Sequence, residues 1–341
     1  MPISMFDTRT MLEMLDEVKP AGSFLRRRFF VNARVFDTEN VDVDIIKHKR
    51  KMAPFVSNHI GGKTVDREGF STNTYKPLLV APDMITTAED MLKRAPGEAI
   101  YGGMSPDERA AEQLGRDMVN LEEMVSRREE WMCAKAIFTA AIPMIGEGIN
   151  QTLTFGFSSG HDVNLGSGSR WNESGVDPLA DLRDAKRKNV QDSGVSSDTI
   201  LMGSDAMDAF LAKVGTDTGQ LSQVKVNLGQ IDPQELPEGV TYWGYLKGIG
   251  DVFTYDEWYV DDEGNEQPLI PVKDVLIGSS KARTDMCYGA IADADEGTFV
   301  AARAPKSWTQ PKPSARFIQL RSRPLPVPTQ IDAFSVLTVL A

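Results

Sequence analysis

The stretch from Ser105 to Ile142 constrains this chain more than any other, because it reads as one helix far longer than a compact domain needs. Ser105 can cap it, Pro106 fits the first helical position, Glu108 completes a capping box and Asp107 favours the positive end. Leu114, Met118, Leu121, Val125 and Met132 recur at helical spacing, and Ala134, Ala136, Ala140 and Ala141 narrow the same side further on. The other side is charged, with Glu112 four residues before Arg116 and Glu123 four before Arg127. Pro143, which has no N–H to continue the ladder, is expected to stop the helix. At roughly 1.5 Å per residue such a rod spans about 55 Å, whereas a mean helix has about 12 residues. Either a large domain is crossed by it, or something extended lies along it.

The length of 341 residues suffices for two or three packed units, and a hydrophobic content of 41 per cent is compatible with real cores. No apolar run approaches the roughly 20 residues that cross a bilayer, and the start, MPISMFDTRT, lacks a basic region followed by an apolar stretch. A cytoplasmic setting without a membrane is expected. Cys133 and Cys287 stand far apart with no CxxC partner, so buried thiols are expected rather than a disulfide or a zinc site. A formal charge of -12 argues against the whole chain being a nucleic-acid binder.

Residues 1 to 50 hold little that could form a core, but they carry Leu25-Arg26-Arg27-Arg28-Phe29-Phe30 and the run Lys47-His48-Lys49-Arg50-Lys51. Val41-Asp42-Val43-Asp44-Ile45 alternates at the strand period between them, so this part reads as a basic arm with one half-buried strand. From Gly61 to Ala88, strand-like residues flank the turn signal Arg67-Glu68-Gly69, and a hairpin alone needs a surface to lie against. After the long helix, Gln151 to Phe157 reads as a strand, followed by a Gly/Ser-rich loop to Arg170. Asp177-Pro178 opens a helix stopped at Gly194; a strand at Thr199 to Met202 and a helix capped by Ser204 complete an α/β unit. Asp251 to Val260 and Leu269 to Ile277 read as strands around the acidic turn Asp261 to Asn265. Pro324, Pro326 and Pro328 exclude helix, and Ile331 to Leu340 reads as a buried closing strand that returns to the long helix.

Local patterns that invite an enzyme reading do not survive weighing. Ser158-Ser159-Gly160-His161-Asp162 holds nucleophile, base and acid types, but adjacent residues in one loop cannot hold triad geometry. Gly166-Ser167-Gly168-Ser169-Arg170 lacks the final Gly and the Lys-Ser/Thr pair of a phosphate loop. Asp293-Ala294-Asp295-Glu296-Gly297 has its glycine one position early for a calcium loop and no closing acid, so it reads as a turn. His48, His59 and His161 fall at no metal-ligand spacing. No catalytic, cofactor or metal residue is assigned, and the chain leans towards a structural role.

A family resemblance rests on a string of short segments: Asp251-Val252, Glu257-Trp258-Tyr259-Val260, Val275-Leu276-Ile277-Gly278 and Ala282-Arg283-Thr284, then Tyr288 through Asp295 and Ala302-Arg303-Ala304-Pro305-Lys306-Ser307-Trp308. With the order of parts along the chain, these resemble the major capsid proteins of tailed bacteriophages, in particular the lambda major head protein family. The resemblance implies an α+β chain with the Hong Kong 97 capsid fold. Residues 1–55 would be the N-terminal arm, 56–90 the extended loop and 91–174 a peripheral domain with its spine helix at 105–142. Residues 175–310 would be the axial domain and 311–341 the return to the peripheral domain.

The implied function is self-assembly into hexamers and pentamers of an icosahedral shell, formed in the host cytoplasm, that encloses double-stranded DNA without sequence-specific binding. A portal, a separate scaffolding protein, because the arm begins almost at Met1, and a decoration protein at threefold sites are the implied partners. Arg26, Arg27, Arg28, Lys47, Lys49, Arg50, Lys51, Phe70 and Tyr75 are the expected intersubunit contacts, the basic ones meeting acidic surfaces of neighbours. The competing readings are a nanocompartment shell of the same fold, enclosing protein cargo, and a soluble α/β hydrolase-like enzyme.

Overall fold

The computed structural model describes residues 6–17, 22–46, 52–53, 55–57, 62, 64, 70–87, 89, 105–146, 148–216, 233–261, 263–295, 297–312 and 314–341. The chain divides into two compact units, the first comprising Met1–Val41, Lys76–Cys133 and Asp285–Val327, and the second the remainder.

The first unit is built on α3, Pro106–Phe138, of which the residues up to Cys133 belong to it. The capping box forms as its residue types require: the Ser105 amide donates to Glu108, and the Glu108 amide to the Ser105 hydroxyl. Leu114, Met118, Leu121 and Val125 form one buried stripe, which packs against Ile318 and Leu320. The short helix α1, Thr8–Glu17, lies on the same cluster through Met11, Met14 and Leu15, and keeps its Arg9–Glu13 pair outside. A second short helix, α2 at Phe24–Phe29, buries Leu25 and Phe29. The first fifty residues, expected to hold little that could form a core, supply more than that, since Met11, Leu25, Phe29, Phe30 and Val41 are all buried; few in number, they are spaced so that each short helix shows one apolar side. Two three-stranded sheets complete the unit. Asp285–Tyr288 lies between Asn32–Val35, parallel, and Pro324–Val327, antiparallel, while Ser314–Arg321 lies between Asp83–Thr87 and Ala304–Pro311.

The long helix is shorter than expected. It ends at Phe138; Ala140 takes a left-handed φ of 48°, the Thr139 hydroxyl bonds the carbonyls of Lys135 and Ala141, and a strand, Ala141–Gly146, begins at once. Pro143 sits inside that strand opposite Thr152, not at the helix end, because a two-stranded ribbon leaves one edge on which a missing N–H costs no ladder bond. At 33 residues the helix is about 50 Å long.

The second unit is organised on a seven-stranded mixed sheet. Its order is Asp162–Asn164, Ser335–Thr338, Asp274–Gly278, Thr199–Met202, Gly250–Tyr255, Val240–Leu246, Gln234–Glu235. Helices α4, Pro178–Ser193, and α5, Ser204–Thr216, cover one face, with Leu182, Phe210, Ile200, Val252, Ile277 and Trp171 in the shared core. The ends of α4 fall where residue types dictate. Asp177 accepts from the Leu179 amide, Pro178 follows, and Gly194 closes the helix at φ 80°. Gly203 joins strand to α5 because an added Cβ would lie 2.4 Å from the carbonyls of Pro271 and Val272.

Several strand boundaries differ from the alternation. Asp251 to Val260 is two strands, broken at Asp256 and Glu257, and Trp258–Val260 pairs with Glu266–Pro268 around the acidic turn. Leu269 to Ile277 starts as a strand only at Asp274, beyond Pro271. The strand expected at Gln151 to Phe157 is Ile149–Thr154. The closing strand, expected against the long helix, is Ser335–Thr338 inside the seven-stranded sheet, where continuous burial of Ser335, Val336 and Leu337 on both faces suits its apolar run. Val41–Ile46 pairs with Phe70–Tyr75 in a two-stranded ribbon. Of the other strand, expected before Arg67-Glu68-Gly69, only Thr64 is among the described residues and it lies in no strand, and the turn itself lies outside them.

Candidate assembly site

One side of α3 carries Glu122, Ser126, Glu129 and Glu130, spaced four, three and one apart and at most 8% exposed. Buried carboxylates are costly unless they are paired and hydrogen-bonded, so their partners define what this face holds. Arg303 grips Glu122 with two bonds, Nε to Oε2 at 2.8 Å and Nη2 to Oε1 at 2.9 Å, and reaches Glu129 through Nη1 at 2.6 Å. Ser126 donates to Glu122, and Ser322 bonds the same guanidinium. Burial pulls the Arg303 pKa down, but Glu129 and Glu122 outweigh it and hold the guanidinium above its ordinary range. Arg26 Nη1 lies 2.9 Å from the second Glu129 oxygen, an ion pair without hydrogen-bond alignment. Glu130 accepts the backbone amides of Leu25 at 2.6 Å and Arg26 at 3.0 Å, and so caps α2, where the Ser23 side chain makes no capping bond. Burial, and then Glu130 and Glu129, push the Cys133 thiol well up. Burial first and Glu129 second raise Tyr288. What the network does is fasten the N-terminal segment and the Arg303 segment to the long helix.

A second ionic knot holds the Asp293 turn. Lys306 Nζ lies 2.8 and 2.7 Å from the two Asp293 oxygens, and Arg321 also pairs with Asp293. The Asp295 amide bonds Asp293 Oδ1, which makes this stretch an ordinary turn between Ile291–Asp293 and Gly297–Phe299. In the second unit, His161 is fully buried between the Phe334 carbonyl, 2.8 Å, and Asp192, 3.0 Å, with the Ser335 hydroxyl 3.1 Å away. Ser335, 1% exposed, bonds Asn189, so His161 and Ser335 are sealed in the core and tie loop to helix, while Asp192 stands at the surface. Among the described residues no group of acidic, His and Cys side chains could hold a metal ion, and no helix is long and apolar enough to cross a membrane.

Of the residues expected at contacts between subunits, Arg26 is half-buried on Glu129 of its own chain, Arg27 is exposed and Arg28 half-buried. Phe70 and Tyr75 are the two ends of one strand, and the Tyr75 ring stands edge-on to Phe155 at 5.5 Å. Lys47, Lys49, Arg50 and Lys51 lie outside the described residues. Glu122, Glu129, Glu130 and Arg303 escaped sequence reasoning as a group. Their one signal was three acids at i, i+7 and i+8 beside the apolar stripe.

The decisive comparison covers both units at once. The phage major capsid protein E family matches residues 7–339. The chain belongs to that family. It is a structural capsid protein of a phage and not an enzyme. It is 26% identical over 347 residues to the P21 prophage-derived major head protein of Escherichia coli O6:H1, covering 99% of this chain and 100% of that one. It is also 26% identical to the major capsid protein of Escherichia phage lambda, over 97% of this chain and 98% of that one. Among solved structures, a prophage capsid protein of E. coli CFT073 superposes with a TM-score of 0.73 at 20% identity, over 98% of this chain and 99% of that chain. The fold is the α+β capsid fold of the Hong Kong 97 type, and capsid proteins of this family form the virion shell.

Proposed function

We propose that copies of this chain assemble as hexamers and pentamers into a closed icosahedral shell, in the host cytoplasm, and that the shell encloses double-stranded DNA. The observation that carries this reading is the match across residues 7–339, which leaves neither compact unit outside the family. Closed shells require the same surfaces to be reused in heterologous contacts, and two-stranded ribbons with open edges suit that use. Among the described residues Val41–Ile46 with Phe70–Tyr75 is such a ribbon; Phe70 and Tyr75 on it, Lys47, Lys49, Arg50 and Lys51 after its first strand, and Arg26, Arg27 and Arg28 on α2 are the proposed contacts with neighbours. A chain of net charge -12 does not hold DNA tightly, which favours packing and release. A scaffolding protein, a portal and a decoration protein at threefold sites complete the proposed partners.

The test is electron microscopy of the expressed chain, alone and with its scaffolding partner. Closed shells support the reading; a monodisperse monomer at every concentration overturns it. The SrpI encapsulin complex of Synechococcus elongatus PCC 7942 shares the fold at a TM-score of 0.52 and 12% identity, so the content of purified shells, nucleic acid or protein, separates the genome container from a nanocompartment.

A further inference from the structure

The ribbon Trp258–Val260/Glu266–Pro268 exposes its side chains in an unusual combination. Trp258 is 54% exposed and Val260 63%, and as alternate strand residues they share one face. The register sets Pro268 opposite Trp258 and Glu266 opposite Val260, so the face is aromatic and aliphatic with an acidic end. Residues 256–268 contain six acids and no base. A short two-stranded ribbon presenting a Trp to water has the composition of an interface centre with a charged rim.

The complementary surface lies in the same unit. Helix α4 carries Arg183 and Arg187 four residues apart, both exposed. Lys186 turns inward to the Ile249 carbonyl and Lys188 is taken by Asp192, which leaves these two arginines, with Asp184 beside Arg187, as the outer charge of the helix. The Arg187–Asp184 pair is 77% and 70% exposed and so holds Arg187 only weakly. The two surfaces also stand on different sides of the central strand Thr199–Met202. The ribbon continues from Gly250–Tyr255 on one side of it, and α4 packs over Asp274–Gly278 and Ser335–Thr338 on the other. A contact that joins unlike sides of neighbouring copies is head-to-tail, and head-to-tail contacts with a fixed rotation close into rings.

We infer that the Trp258/Val260 face of one copy docks on the Arg183/Arg187 side of α4 in a second copy, and that this contact repeats around the capsomer. The inference rests on the self-assembly reading, and names the surface through which that assembly begins. Trp258 and Val260 supply the apolar centre, and Arg183 and Arg187 meet the acids of the ribbon at the rim and fix the register.

The test pairs Val260→Cys with Arg183→Cys in the full chain and oxidises the purified protein at high concentration. Cys133 and Cys287 are buried, with Cys287 pushed up to about 12 by burial, so the native thiols contribute little background. A covalent ladder on a non-reducing gel is expected from the double variant and from neither single one. In parallel, Arg183→Glu/Arg187→Glu and Glu263→Lys/Glu266→Lys are each expected to cut pelletable assemblies tenfold or more, and their combination to restore them. Absence of the ladder overturns the contact whatever the microscope shows, and shells without a ladder leave the capsid reading standing. A ladder without shells supports the contact and overturns the shell.

Discussion

A carboxylate oxygen of Glu130 lies 2.6 Å from the backbone nitrogen of Leu25, 105 positions earlier in the chain. The second oxygen takes the next amide, Arg26, at 3.0 Å. A six-residue helix cannot sustain itself in water, so α2 depends on this borrowed cap and on the burial of Leu25 and Phe29.

Glu130→Ala is therefore expected to cost about 2 to 3 kcal/mol, since it leaves two buried amides without an acceptor. Glu130→Gln keeps one acceptor and is expected to lose about half as much. Denaturant unfolding gives the magnitudes, and hydrogen exchange gives the location. The Leu25 and Arg26 amides should lose protection first, and unchanged protection at those two sites would refute the cap.

Arg303 sits between two buried carboxylates, and its replacement tests whether the network is one unit. Arg303→Met strands Glu122 and Glu129 in the core and is expected to cost about 3 to 5 kcal/mol. Adding Glu122→Gln and Glu129→Gln removes the stranded charges and should recover most of the loss. Arg303→Lys cannot make the paired grip on Glu122 and should fall between the two. If the triple variant is no more stable than Arg303→Met, the charges are not coupled.

Much of this was legible in the residues. Ser105 to Glu108, Asp177-Pro178 with Gly194, and Thr199 to Met202 carry local instructions, caps and a fully buried apolar run, and the structure follows them. The end of the long helix was not legible. Thr139 and Ala140 have no breaker between them, and it is the pairing of Ala141–Gly146 with Ile149–Thr154, a tertiary matter, that ends the helix ahead of Pro143. The Glu122–Arg303 pair is separated by 181 positions, and one sequence holds no signal for contacts at that range. The family was legible from the short segments between Asp251 and Trp308 together with the order of parts, and the family match over residues 7–339 agrees with it.

Asp274 offers a pH test with a definite sign. Burial raises its pKa above the usual 3.8, partly opposed by a hydrogen bond from Thr338, with Asp162 adding to the rise. A raised carboxyl binds more protons folded than unfolded, so its contribution to stability is unpenalised below 3.8 and declines as pH climbs through the raised value. Asp274→Asn mimics the protonated form. Its unfolding midpoint should exceed that of the parent chain at pH 7, and the difference should shrink to nothing as pH falls below 3.8. Asp117, Asp181, Asp256 and Asp285 are also raised by burial, so the informative quantity is the difference between variant and parent at each pH. A difference that grows on acidification would contradict the assignment.

The turn that leads into Val240–Leu246 carries the last prediction. Glu238 has φ 75° and Gly239 φ 70°, and the Leu236 amide closes the turn on the Val240 carbonyl at 2.8 Å. Two consecutive residues at positive φ suit a hairpin whose central pair is Asn-Gly, and an L-residue other than Asn, Asp or Gly is strained at the first of them. Glu238→Asn is expected to stabilise the chain by about 0.5 to 1 kcal/mol, while Glu238→Val, β-branched at the same dihedral, should lose at least as much. Denaturation curves for both variants decide the matter, and a stabilising Val at this position would show that the backbone there does not hold the positive φ.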